Sequence, residues 1–108
     1  MSYLYKDRGE QIAVCYRRAC TLLSANQRIT RVIHVGDAPA DILAAKWCYE
    51  ADRLDPTVTV GCIGVATGKY SVEELSALTG ASVDGKWEPV VLKDGINDSR
   101  FIEYCKIV

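Results

Sequence analysis

The sequence predicts an α/β domain: a parallel sheet of about three strands with flanking helices, arranged in three layers. Three observations lead there. Segments of helical periodicity alternate with short β-branched runs in the order α-β-α-β-α-β-α, and such alternation implies parallel strands joined by crossover helices. The run from Val58 to Val65 is apolar almost throughout, as in a strand covered on both faces. Finally, Arg31-Val32-Ile33-His34-Val35-Gly36-Asp37-Ala38-Pro39-Ala40-Asp41-Ile42 passes from a buried-strand pattern through a tight turn straight into a helix start.

The elements run in order along the chain. Residues 8–25 carry Ile12, Cys15, Tyr16, Ala19, Leu22 and Leu23 at the spacing of an amphipathic helix, which Ala25-Asn26-Gln27-Arg28 ends. Strand 32–35 and helix 39–53 come next, with a break at Asp55-Pro56. After strand 58–65, Gly68-Lys69-Tyr70 turns the chain. Ser71 and Glu74 have the spacing of a capping box and open a short helix running to near Leu78, closed by Thr79-Gly80. Glu88 to Leu92 reads as a third, shorter strand, and Asn97 or Asp98 caps a last helix ending near Lys106. No repeat, linker or low-complexity stretch interrupts the pattern, so residues 1–108 read as one domain.

Composition removes several function classes. The charge is nearly balanced, 13 basic against 14 acidic side chains, and no basic stripe is interleaved with aromatics, so nothing points to nucleic acid. The longest apolar runs fall far short of a membrane span. The residues after Met1 lack a signal-peptide pattern, and a cytoplasmic location is expected. The cysteines at 15, 20, 48, 62 and 105 match neither a zinc spacing nor a disulfide framework. Cys48 and Cys62 fall in apolar segments and read as small core hydrophobes.

In an open α/β sheet, ligands gather beyond the carboxyl ends of the strands, which places Asp37 at a candidate mouth. Gly36 leaves the backbone open to a close ligand such as phosphate, and the helix start at Ala38 offers free N–H groups. Two carboxylates beside an anion site suit a hard cation, because Mg²⁺ takes one or two carboxylates, several waters and phosphate oxygens. Asp37 is the better metal ligand. Asp41, in the first helical turn, can bind the metal, a metal-bound water or a basic side chain. Equally, Asp37 can cap the helix and Asp41 can complement its dipole. His34 reads as a packed, hydrogen-bonded side chain.

The pattern Val35-Gly36-Asp37-x3-Asp41-Ile42-x-Ala44-Ala45, continued by Ile63-Gly64-Val65-x2-Gly68, resembles the fourth motif of the haloacid dehalogenase (HAD) superfamily of hydrolases and its sequel. The resemblance implies a Rossmann-like core. Lys6-Asp7-Arg8-Gly9-Glu10 resembles the third motif, Lys-Pro-x-Pro-Glu, in which the lysine neutralises charge on nucleophile and phosphate. That would make Lys6 catalytic; as residues alone, it reads equally as a solvated lysine. Asp7 departs from the family's proline, and Lys6 stands farther from Asp37 than in relatives. The family's Asp-x-Asp nucleophile motif does not occur, and the second motif has no counterpart.

The chain therefore resembles the C-terminal half of such an enzyme, without a cap domain and without the nucleophile. The resemblance implies a portion of a Mg²⁺-dependent phosphatase that works through an aspartyl-phosphate on a small phosphorylated substrate and is inactive alone. The family's strand order places strand 32–36 between the nucleophile strand and strand 58–65. Lacking that neighbour, strand 32–36 becomes an edge. This supports a second reading: a non-catalytic half-domain that binds a partner, or self-associates as a homo-oligomer, through its exposed sheet edge. A third is an unrelated doubly wound domain in which Asp37 and Asp41 are structural.

Overall fold

The computed structural model describes residues 2–105. Its elements are α1 (Ser2–Thr21), β1 (Arg31–Gly36), α2 (Pro39–Glu50), β2 (Thr59–Val65), α3 (Val72–Ser76), β3 (Trp87–Leu92), a 3₁₀ turn at Gly95–Asn97, and α4 (Ser99–Cys105). The three strands form one parallel sheet in the order β1-β2-β3. Arg31 pairs with Thr59 and Gly36 with Gly64, while Val60 pairs with Trp87 and Val65 with Leu92. The predicted α/β class, parallel sheet and flanking helices are present, a layout compatible with a Rossmann-like core.

The main core lies on one face of the sheet. Ala13 of α1, Ile42 and Ala45 of α2, and Leu75 of α3 pack there with Val60, Cys62 and Trp87. Trp87 stacks on Tyr49 at 5.9 Å and donates its indole N–H to the Thr79 carbonyl at 2.7 Å, so its one polar atom is satisfied in the interior. On the opposite face, α4 brings Tyr104 over Gly61, where a Cβ would collide with the phenol. The Arg31 guanidinium sits 4.4 Å from the Tyr104 ring and donates to the Tyr104 carbonyl at 2.7 Å. As expected, Cys48 and Cys62 are buried.

Several boundaries differ from the prediction for local reasons. Helix α1 spans Ser2–Thr21 in place of 8–25. The amides of Leu22 and Leu23 bond three residues back, to Ala19 and Cys20. Such a tightened last turn ends the helix and leaves Leu22 85% exposed, although its spacing fits the apolar stripe. Helix α2 closes at Glu50, three residues short of the predicted 53. Asp52 adopts φ 52°, the Asp52 amide bonds to Tyr49 and the Arg53 amide to Cys48. This is a Schellman close with an aspartate in the position glycine usually fills. The capping box between Ser71 and Glu74 is formed in both directions at 3.1 Å. Asp98 caps α4, accepting from the Arg100 amide at 2.9 Å. The predicted end near Lys106 lies outside the described residues.

Helix α1 crosses α2 closely at Gly9. A side chain there would collide with the Trp47 ring and press on the Ala44 carbonyl. The Cys48 thiol donates to the Gly9 carbonyl at 2.8 Å, and Arg53 pairs with Glu10 at 2.8 Å. Beyond that crossing Tyr16 packs against the core, and Ile12, Cys15, Tyr16 and Ala19 share a groove of about 660 Å³ with Val32 and Ile33 of β1.

Candidate functional site

The carboxyl end of β1 and the start of α2 place the two aspartates of the motif in different environments. Asp41 is tied down from three sides. One carboxylate oxygen accepts from Arg8 Nη1 at 3.1 Å and lies 3.2 Å from His34 Nε2; the other accepts from the Ala38 amide at 3.2 Å. The last bond satisfies one of the free N–H groups at the start of α2, and it places the charge favourably on the helix dipole. With its side chain 14% exposed, Asp41 joins α1, β1 and α2 at a single point. Of the roles open to it from sequence, partner of a basic side chain is the one the geometry displays.

Gly36 is explained by the same residue. The space a Cβ would need at Gly36 is filled by the Asp41 carboxylate, so the close approach to this backbone is made by the chain's own acid. Ala38, whose side chain cannot cap, takes the N-cap position of α2, and Asp37 makes no cap. Asp37 instead stands exposed at the mouth, its carboxylate beside Gly68 in the loop after β2. Among the described residues it has no hydrogen-bond partner. A Cβ at Gly68 would come within 3.3 Å of that carboxylate, so the glycine keeps the space beside Asp37 clear.

Lys6 lies exposed in α1, and the cation that reaches Asp41 from that helix is Arg8. Residues two apart do not share a helix face, so the two cannot substitute for one another. Sequence reasoning missed Arg8. The signal was nonetheless present, because Arg8 precedes Ile12 by four and extends the apolar stripe to the inward face. His34 is hydrogen-bonded, as read.

The chemistry available is that of one free carboxylate beside a fixed Arg–Asp–His cluster. Among the described residues, no three His, Cys, Asp or Glu side chains gather to hold a metal. Asp37 fits the single carboxylate that Mg²⁺ takes when phosphate and water complete its shell. Asp41 does not fit as a second ligand while it holds Arg8, His34 and Ala38. The buried thiols offer no nucleophile: burial pushes Cys62 up to about 12, with a smaller push from Asp41, and burial pushes Cys48 up to about 11, with a smaller push from Glu10.

Comparison of the chain with protein-family models, with curated proteins and with solved structures found no match. The class of protein is thus set by the fold alone: an α/β domain with a three-stranded parallel sheet and flanking helices. Among the described residues, no helix is long and apolar enough to cross a membrane.

Proposed function

We propose that this chain is the acid-bearing C-terminal portion of a HAD-like hydrolase, a Mg²⁺-dependent phosphatase whose nucleophile lies on a strand this chain lacks. The observation that carries the reading is Asp37: a free carboxylate at the mouth of a parallel sheet, beside a glycine-cleared space, one step past an edge strand. In this reading Asp37 holds Mg²⁺, which supplies positive charge to a phosphorylated substrate. Asp41 fixes Arg8 and His34 behind it, and Lys6 contributes positive charge from α1 when the missing half is present.

Sub-stoichiometric Mn²⁺ as a paramagnetic stand-in for Mg²⁺ tests the metal role, because nuclear resonance reads weak sites. The amide signals of Gly36, Ala38 and Gly68 broaden in the wild type and keep their width in Asp37→Asn; equal broadening in both sinks the metal role. With an aryl phosphate and Mg²⁺ the chain gives no turnover above background. Hydrolysis abolished by Asp37→Asn would show that the chain is not a nucleophile-free portion.

A second reading is favoured by a separate observation. Strand β1 ends the sheet, with no described residue paired to its outer side. A half-domain that binds a partner or a second copy through this edge accounts for that without any catalysis.

A further inference from the structure

Asp-Gly occurs in the chain at Asp84-Gly85 and again at Asp94-Gly95, and the fold treats the two pairs in opposite ways. The pair has its own chemistry. Glycine puts no Cβ beside its amide nitrogen, so that nitrogen can reach the carboxyl of the preceding side chain. Both glycines hold a left-handed backbone, φ 76° at Gly85 and φ 61° at Gly95. Their surroundings separate them.

Gly95 is buried, and a Cβ there would meet Thr67 Cγ2 at 2.8 Å. The Asp94 carbonyl accepts from the Asn97 amide at 3.2 Å, and the Gly95 carbonyl accepts from the Asp98 amide at 3.1 Å. The peptide joining Asp94 to Gly95 has to turn before its nitrogen can reach the side chain, and those bonds and Thr67 resist the turn.

Asp84 and Gly85 lie exposed in the loop between α3 and β3, beside a Val83 that is 94% exposed. Beyond its chain neighbours, nothing stands within 4 Å of the place a Cβ would take at Gly85. Among the described residues, neither the Asp84 carbonyl nor the Gly85 amide takes part in a hydrogen bond. What restrains this pair is its carboxylate. Asp84 Oδ1 accepts from the Tyr49 hydroxyl at 2.8 Å and from the Lys86 amide at 3.0 Å. The Lys86 amide first, and the Tyr49 hydroxyl next, hold the Asp84 carboxyl below the usual carboxylate range. The ionised form has no hydroxyl to lose and resists attack by an amide nitrogen.

We propose that Asp84-Gly85 is a site of spontaneous isomerisation to isoaspartate, with the Tyr49 hydroxyl as its guard. The Gly85 nitrogen bonds to Asp84 Cγ, and the carboxyl hydroxyl leaves with the amide proton as water. Water then adds to the main-chain carbonyl carbon of Asp84 in the resulting cyclic imide and breaks the bond from that carbon to the Gly85 nitrogen. The chain now runs through Cγ, one methylene longer, and the freed main-chain carboxylate is an acceptor for carboxyl methylation. The step consumes no oxidant, reductant or metal, and it is independent of any role for Asp37.

The test ages the full chain at neutral pH and body temperature. Isoaspartate is read by methyl transfer from labelled S-adenosylmethionine with an isoaspartyl methyltransferase, and peptide mapping assigns the label. In the folded chain, label at Asp84 exceeds label at Asp94 by about tenfold, the factor carried by a hydrogen bond that must open at Asp94. In urea the two pairs label alike. Asp84→Glu removes the first signal. Tyr49→Phe keeps the ring that stacks on Trp87 and removes the hydroxyl. Its Asp84 carboxyl titrates at higher pH by carbon-13 resonance, and its label at Asp84 grows about threefold faster, as loss of one exposed hydrogen bond allows.

Equal labelling of the two pairs in the folded chain overturns the site. So does label that appears at Asp84 only in urea. A Tyr49→Phe chain whose Asp84 titration moves while its labelling rate stays at the wild-type value overturns the guard.

Discussion

β1 and β3 close the same sheet on opposite sides, yet the protein spends its packing on only one of them. β3 is buried at both ends, through Trp87 and Leu92. It is held by the Thr79 carbonyl, by Tyr49 and by Tyr104. No residue of β1 is buried to that degree, and Val35 is 42% exposed. β1 has three apolar residues of six and β3 four, a difference of one that does not by itself account for the contrast. The difference lies in what closes over each strand: α3 and Tyr104 of α4 reach β3, whereas α2 packs on β1 without fully burying any of its residues. The lesson is that strand burial in a parallel sheet is set by how completely its flanks are covered, and coverage here is unequal.

The strongest way to break the comparison is to substitute one residue on each edge. Trp87→Ala should cost about 3–5 kcal/mol, as for large aromatic deletions in a core. Val35→Thr should stay within about 0.5 kcal/mol, as for an exposed site. Urea denaturation of the two variants reads both values; equal losses would mean that β1 is as firmly packed as β3.

A smaller effect tests whether α1 is truly pinned at one place. Gly9→Ala should cost about 1–3 kcal/mol by overpacking against the Trp47 ring and the Ala44 carbonyl. Ser24→Ala, in the exposed turn beyond the helix, should be nearly silent. Thermal unfolding of the pair is sufficient, and a neutral Gly9→Ala would show that the crossing relaxes without loss.

The last effect shows itself only as pH rises above neutral. Cys48 and Cys62 have folded pKa values raised by burial, Cys48 to about 11 and Cys62 to about 12, so the unfolded chain loses those protons first as pH rises. The stability they contribute is full below the ordinary thiol range and is lost as pH climbs through it toward the folded values. Cys48→Ala and Cys62→Ala should each flatten the alkaline limb of a stability–pH curve. At neutral pH, iodoacetamide should modify the exposed Cys15 while leaving both buried thiols intact until the chain unfolds.

These contrasts also show which features were legible in the residues. β2 could be read because a strand covered on both faces needs an unbroken apolar run, and 58–65 is one. The Ser71–Glu74 box could be read because both of its bonds lie within four residues. The junction at Gly36-Asp37 could be read as a strand, a turn and a helix start. The division of labour between Asp37 and Asp41 could not. It depends on Arg8, 33 residues away, and on the carboxylate folding back over Gly36. Local patterns carry no information about such a partner. The end of α2 was misplaced because its closing residue is Asp52, where a glycine would have announced the stop. The groove between α1 and β1 was invisible in the residues because it is a relation between a helix and a strand that neither segment encodes alone.

Helix α1 is held along its length: Arg8, Gly9 and Ala13 fix its first half, and Tyr16 packs against the core in its second. It leaves through the hydrogen-bonded, exposed bend of Ser24 and Gln27. Lengthening the chain at that bend leaves those supports untouched, which makes it the natural graft point for a reporter that must ride on the molecule without bending its frame.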